Sequence, residues 1–187
     1  MDNKLKCNPK IFEKKYTIDV SSNIVLKPIF EEMIDGEAMF YLRNSNNELI
    51  KKYLPFAYVE NIEQSKSKLL EFVRDTIILK TSLVYCIRIT NGQIPMVPIG
   101  YVSFESPLSP NGLNEWSINF WLSESMRGQN IMLASVNKCL EFLKDFSVSK
   151  VKAIVDKDNL KSRSLLKKLN FNIDKVFSDK IIYTLNL

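Results

Sequence analysis

Hydrophobic positions along this chain change period repeatedly, and each change marks an element. Alternation in "KKYTIDV" and "SSNIVLKPI" predicts two short strands, a hairpin turning at Ser21, Ser22 and Asn23. "EEMIDGEAMFYLRNS" instead places Met33, Ala38, Met39 and Leu42 near helical spacing. "NIEQSKSKLLEFVRDTIILK" does the same with Leu69, Leu70, Val73 and Ile77. Between these two helices, "KKYLPFAYVE" (Lys51 to Glu60) is aromatic-rich, broken by Pro55, and reads as a loop.

"LVYCIRI", "PIGYVSFE" and "EWSINFWL" follow as three strands. The last puts Trp116, Ile118, Phe120 and Leu122 on one face and Glu115, Ser117, Asn119 and Trp121 on the other. Bulk on both faces predicts a central place in the sheet. After a polar turn comes a helix with Met132, Val136, Leu140 and Leu143 as its stripe, and then the strand "VKAIV". "DKDNLKSRSLLKKL" is a helix burying Leu165, Leu166 and Leu169, and "FNIDKVFS" with "KIIYTLNL" forms a closing hairpin that turns near Asp179. No repeat or long linker interrupts this order. It predicts one α/β domain over residues 1–187, with residues 1–22 an extension able to add a strand.

Composition narrows the chemistry. There is no histidine, which excludes Ser-His-Asp triads, Cys-His pairs and histidine-ligated metals. Proton transfer must use carboxylates, hydroxyls, lysines, water or backbone. Cys7, Cys86 and Cys139 are odd in number and widely spaced, giving neither a disulfide framework nor a metal pattern. The polar N-terminus "MDNKLKCNPKIFEKK" is no secretory signal, and no stretch reaches the roughly 20 apolar residues of a membrane span. A cytoplasmic location is expected. The net charge of +5 fits a lysine-rich surface first and a polyanionic ligand second. No basic run with interleaved aromatics points to nucleic acid.

One turn stands apart. "SMRGQN" joins a strand to a helix and contains Gly128, one of five glycines in the chain. A helix N-terminus offers unpaired backbone N–H groups and a positive dipole end. With a glycine just before it, backbone can approach an anion closely, and Arg127 and Gln129 could add donors. A plain helix start with a solvated arginine is the alternative.

The wider order decides between them. "INFWL" (Ile118 to Leu122), "RGQNIM" (Arg127 to Met132), Asn159 with Ser162, and "LNF" (Leu169 to Phe171) resemble the motifs of the GNAT superfamily of acetyl-CoA-dependent N-acetyltransferases. The resemblance is to the RimJ/RimL branch, which acetylates protein N-termini. That branch reads Ile-Gly-Tyr-Trp-Leu, then Arg/Gln-Gly-Lys-Gly-Ile-Met, then Asn-x-x-Ser and Leu-Gly-Phe. "IVLKPI" and "KKYLPF" extend the likeness upstream, so that it spans about Asn23 to Leu187.

The resemblance implies a mixed, mostly antiparallel sheet flanked by helices. It implies that acetyl-CoA is bound as co-substrate, without a metal. Residues Arg127, Gly128, Gln129, Asn130, Ile131 and Met132 would hold the pyrophosphate largely through backbone N–H groups. Phe120, Trp121 and Leu122 would pair with the pantetheine arm as an added strand, the Leu122 N–H serving as oxyanion donor. Asn159 would bond that arm and Ser162 would protonate the leaving thiolate, the alternative being a helix cap and a surface serine.

The chain departs from the branch where Asn130 and Asn170 replace glycines, where Leu166 stands at the position of a general-acid tyrosine, and in a shorter final hairpin. Asn tolerates left-handed backbone better than most residues. Candidate bases are Glu115 first, Asp179 second and Glu105 third. At neutral pH a free lysine amine is roughly 300-fold scarcer than a free α-amine, which favours an N-terminus as acceptor when the base is weak. A small amine (polyamine, amino sugar or antibiotic) and a non-catalytic acyl-CoA-binding module remain alternatives, in a monomer or homodimer. An acyl-cysteine route through Cys86 or Cys139 is disfavoured by their apolar segments.

Overall fold

The computed structural model of the chain describes residues 17–79, 81–90, 96–106, 115–145 and 148–187. Most of the expected N-terminal extension therefore lies outside the described residues. The strands are β1 (Ile18–Ser21), β2 (Ile24–Pro28), β3 (Ser82–Ile89), β4 (Val97–Glu105), β5 (Glu115–Leu122), β6 (Lys150–Asp156), β7 (Asn172–Val176) and β8 (Lys180–Asn186). The helices are α1 (Ile34–Ser45), α2 (Glu48–Tyr53), α3 (Ile62–Val73), α4 (Ile131–Lys144) and α5 (Leu160–Lys168).

The strands form one sheet in the order β1-β2-β3-β4-β5-β6-β8-β7. Five of its joins that are sequential or hairpin-like, and that of β6 with β8, are antiparallel; β5 and β6 run parallel. A parallel join needs a crossover, and α4 supplies it. Bulk on both faces of β5 does set its central place. Trp116, Ile118 and Leu122 pack with Met132, Val136, Leu140 and Leu143 of α4, the stripe expected from spacing. On the opposite face Trp121 joins Tyr101 and Tyr41 of the second core, with ring centroids 5.0 and 5.6 Å away. Gly100 on β4 lets this join close, because a Cβ there would lie 2.5 Å from the Trp121 carbonyl oxygen.

The early helices differ in detail from the expectation. Met39 and Leu70 are exposed, and α1 instead buries Ile34, Glu37, Ala38, Tyr41 and Ser45. A buried ion pair turns α1 to this face: the Glu37 carboxylate accepts from Arg88 Nη2 of β3 and, at 3.1 Å, from the Tyr101 hydroxyl. The expected loop Lys51 to Glu60 begins as helix. Asn47 caps α2, its Oδ1 accepting from the Ile50 N–H at 3.0 Å, and Pro55 opens a separate 3-10 turn. Asn61 caps α3 in the same way through the Gln64 N–H.

Candidate active site

The parallel join is short. β5 and β6 pair only at Glu115–Lys150, Trp116–Val151 and Ser117–Lys152. Beyond Ser117 the strands part: β5 stays with β4 to Leu122, while β6 follows β8 to Asp156. A small cavity of about 40 Å³ fills the wedge between Ile118–Phe120 and Ala153–Asp156, with Tyr53, Leu54, Asn159 and Ser162 around it. A larger cavity of about 560 Å³ opens on the α3 face. Both are lined by Ile118, Asn119 and Ile154, so the gap in the sheet joins them.

The register fixes which amides face the gap. The Ser123 N–H donates to the Ile99 carbonyl at 2.8 Å, and the β4–β5 register runs without interruption. In an antiparallel pair, alternate residues turn both backbone groups to the same neighbour. The amides of Ser123, Trp121 and Asn119 therefore point at β4, and those of Leu122, Phe120 and Ile118 point at the gap. The Trp121 side chain belongs to the aromatic core and its amide to β4, which corrects its expected place on the ligand edge.

The turn after β5 is braced from within. Arg127 gives its N–H to the Glu124 carbonyl at 3.2 Å and its Nε to the Leu122 carbonyl at 3.1 Å. Gln129 Nε2 reaches the Ser125 carbonyl at 3.4 Å. Both side chains thus shape the turn instead of reaching outward as expected. Gly128 has φ +78°, a left-handed conformation that costs glycine little. Asn130 follows at φ 57° and ψ 9°, and no side chain caps α4. The first helical bond is Ala134 N–H to the Asn130 carbonyl, 3.0 Å. The amides of Ile131, Met132 and Leu133 precede it and have no intrahelical partner. Met132 is buried in the core and Ile131 packs against it, so only their backbones are presented.

Residues 23–172 match the acetyltransferase (GNAT) domain family. The chain belongs to that family. Solved structures share the fold at low identity. RimL, the ribosomal L7/L12 α-N-protein acetyltransferase, in complex with coenzyme A has a TM-score of 0.76 at 18% identity, covering 92% of this chain and 98% of that one. The microcin C7 self-immunity acetyltransferase MccE, in complex with acetyl-CoA and AMP, has 0.72 at 20%, covering 90% and 94%. The ribosomal-protein-S5-alanine acetyltransferase from Vibrio fischeri has 0.74 at 16%, covering 92% and 97%. No protein of curated function matches the sequence. As a GNAT enzyme this is an N-acetyltransferase with acetyl-CoA as donor. Among the described residues no helix is long and apolar enough to cross a membrane, and no cluster of acidic or thiol groups could hold a metal ion.

In this acetyltransferase the two asparagines at glycine positions of the motif both take the left-handed backbone glycine would: Asn130 at φ 57° and Asn170 at φ 61°. Asn170 ends α5, where the Phe171 N–H returns to the Leu166 carbonyl at 3.0 Å. The motif's backbone is thereby kept at both positions. Leu166 is wholly buried and serves the core. Asn159 caps α5, its Oδ1 accepting from the Ser162 N–H at 3.2 Å, and still lines the gap, as does Ser162. The cap and the ligand-facing position coexist, because Asn159 Nδ2 is not used by the cap.

The carboxylates sort differently from the expected ranking. Glu115 sits where β5 and β6 are still paired, held by Lys150 and Lys152 at 3.5 Å each. Asp179 is exposed in the β7–β8 turn, its backbone carbonyl taking the Lys157 N–H. Neither lines the two cavities. Glu105, the third-ranked candidate, lines the larger one and accepts from Asn119 Nδ2 at 3.1 Å. Burial against the cavity wall pushes its carboxyl up, the Asn119 bond opposes this, and Asp75 and Glu71 add to it. Sequence reading missed Asp75, Glu71 and Asn119. For Asn119 a signal existed, since it stands where the branch has glycine. Cys86 and Cys139 are buried and their thiols pushed up, which leaves both unreactive.

Proposed function

We propose that the enzyme transfers acetyl directly from acetyl-CoA to a primary amine, and that the favoured acceptor is the α-amine of a protein or peptide N-terminus. The observation that carries this is the gap: two cavities, one in the wedge between β5 and β6 and one against α3, meet at Ile118, Asn119 and Ile154. A donor lying along β5 in the wedge can be met there by an amine arriving through the larger cavity.

The uncapped start of α4 offers backbone amides and a dipole to the coenzyme's pyrophosphate, with Gly128 and Asn130 allowing close approach. The gap-facing amides of Phe120 and Leu122 suit the pantetheine arm, and the Ile118 amide stands beside them as a second oxyanion donor. Glu105 takes a proton from the incoming ammonium and passes it to solvent through the open cavity. The neutral amine then attacks the thioester carbon, and gap-facing amides hold the oxyanion. As the C–S bond breaks, Ser162 Oγ–H protonates the thiolate and Ser162 regains the proton released by the new amide nitrogen. One proton is left over, as the overall reaction requires.

RimL and the S5-alanine enzyme act on ribosomal proteins by their names, which supports the peptide reading. A small polycationic amine is the second reading, favoured by Glu71, Asp75 and Glu105 in one cavity. Turnover of acetyl-CoA against N-terminal peptides, polyamines and amino sugars is the test. Peptides should lead; a polyamine preference supports the second reading, and no turnover with any amine overturns both. In the same assay Ser162→Ala should lower turnover roughly 10- to 1,000-fold while acetyl-CoA affinity holds.

A further inference from the structure

The geometry points to Asn119 as a positioning residue that holds Glu105 at the gap and receives the incoming amine. The inference rests on the reading of Glu105 as the base and adds a residue to it.

Asn119 is where two requirements meet. Its register partner is Ser103, while Glu105 pairs with Ser117, so Asn119 and Glu105 are diagonal neighbours on the α3 face. Its amide N–H is spent on β4, between the gap-facing amides of Ile118 and Phe120. Its side chain therefore stands on the acceptor side of the backbone that flanks the thioester. An ionised carboxylate only accepts, so the contact to Glu105 commits Nδ2 as donor and fixes which way the amide points. Oδ1 is then turned to accept from something else at the same cavity wall. An arriving ammonium has three donors: one can go to Glu105, which removes that proton, and one to Asn119 Oδ1, which keeps the nitrogen at the gap while the neutral amine turns its lone pair to the thioester. The glycine usual in the branch could do neither.

The surroundings of Glu105 make the pair measurable. Glu71 and Lys68 face the cavity from α3 and Asp75 from the helical turn Arg74–Ile78 that follows; β3 contributes Ser82, and β5 contributes Ser117 and Asn119. Lys68 is paired with Glu71 and Arg74 with Asp75, so among the described residues the side-chain donor to Glu105 is Asn119. Removing that donor destabilises the carboxylate and moves its titration to higher pH.

The experiment is the pH profile of kcat/KM for one amine acceptor in wild type, Asn119→Ala, Asn119→Ser and Glu105→Gln. Asn119→Ala should lose about 10-fold or more in kcat/KM and shift the acid limb upward. KM for acetyl-CoA and the melting temperature should hold. Asn119→Ser, which keeps a donor, should recover part of both changes, and Glu105→Gln should abolish the limb. An Asn119→Ala profile that overlays wild type overturns the proposal. So does a uniform loss with an unmoved acid limb and no recovery in Asn119→Ser, the mark of a purely structural side chain. Wild-type turnover in the same series tests the enzyme reading separately, so failure of the pair leaves that reading standing.

Discussion

Asn130 shows how much one residue's backbone decides. A left-handed φ costs an ordinary L-residue roughly 1–2 kcal/mol, and asparagine less because its short side chain bonds locally. Asn130→Ala should therefore lower stability by about 1 kcal/mol in denaturant unfolding, although the side chain caps nothing. Asn130→Gly should cost no more than about 0.5–1 kcal/mol. It should maintain or improve coenzyme A affinity, since the exposed side chain leaves the space before α4. Calorimetric titration checks this, and a tenfold loss in the Gly variant would make the Asn side chain a ligand contact. The substitution was legible in the sequence as a departure, and so was its remedy, because asparagine is the residue best suited to stand in for glycine at positive φ.

At the scale of elements, what the sequence revealed followed period, and what it concealed followed tertiary contact. β5 and α4 were readable because their spacing alone selects one buried stripe. α1 was misread in part, since its buried face includes Glu37, and no hydrophobic pattern announces a buried carboxylate. Only Arg88, fifty-one positions later, explains it. Removing one partner of such a pair leaves an uncompensated buried charge. Glu37→Leu should destabilise the fold by about 3–5 kcal/mol in urea unfolding. Adding Arg88→Met should recover more than half of that, because an apolar replacement of both partners is often neutral. If the double variant is no better than the single one, the loss lies in α1 packing and not in the stranded guanidinium. The base was hidden for a related reason: Glu105 is one carboxylate among many until the fold sets it beside Asn119 at the cavity by α3.

For the molecule as a whole, the notable feature is that its sheet is continuous everywhere but at one seam. Three residue pairs join β5 to β6, and past them a strand with mostly buried side chains turns the amides of one edge away from any partner strand among the described residues. Side-chain burial and amide protection ordinarily go together, and here they part. In the free enzyme the amide hydrogens of Ile118, Phe120 and Leu122 should exchange with deuterium far faster than those of Trp121 and Asn119 beside them. Saturating acetyl-CoA at 100 times its dissociation constant adds about 2.7 kcal/mol to global stability. Slowing at the three gap-facing amides should exceed what that general gain provides, giving an every-other-residue pattern along one strand. Uniform slowing along β5 would mean the donor tightens the domain without pairing to it. The seam thus makes the enzyme's middle strand an isotopic sensor of its own donor.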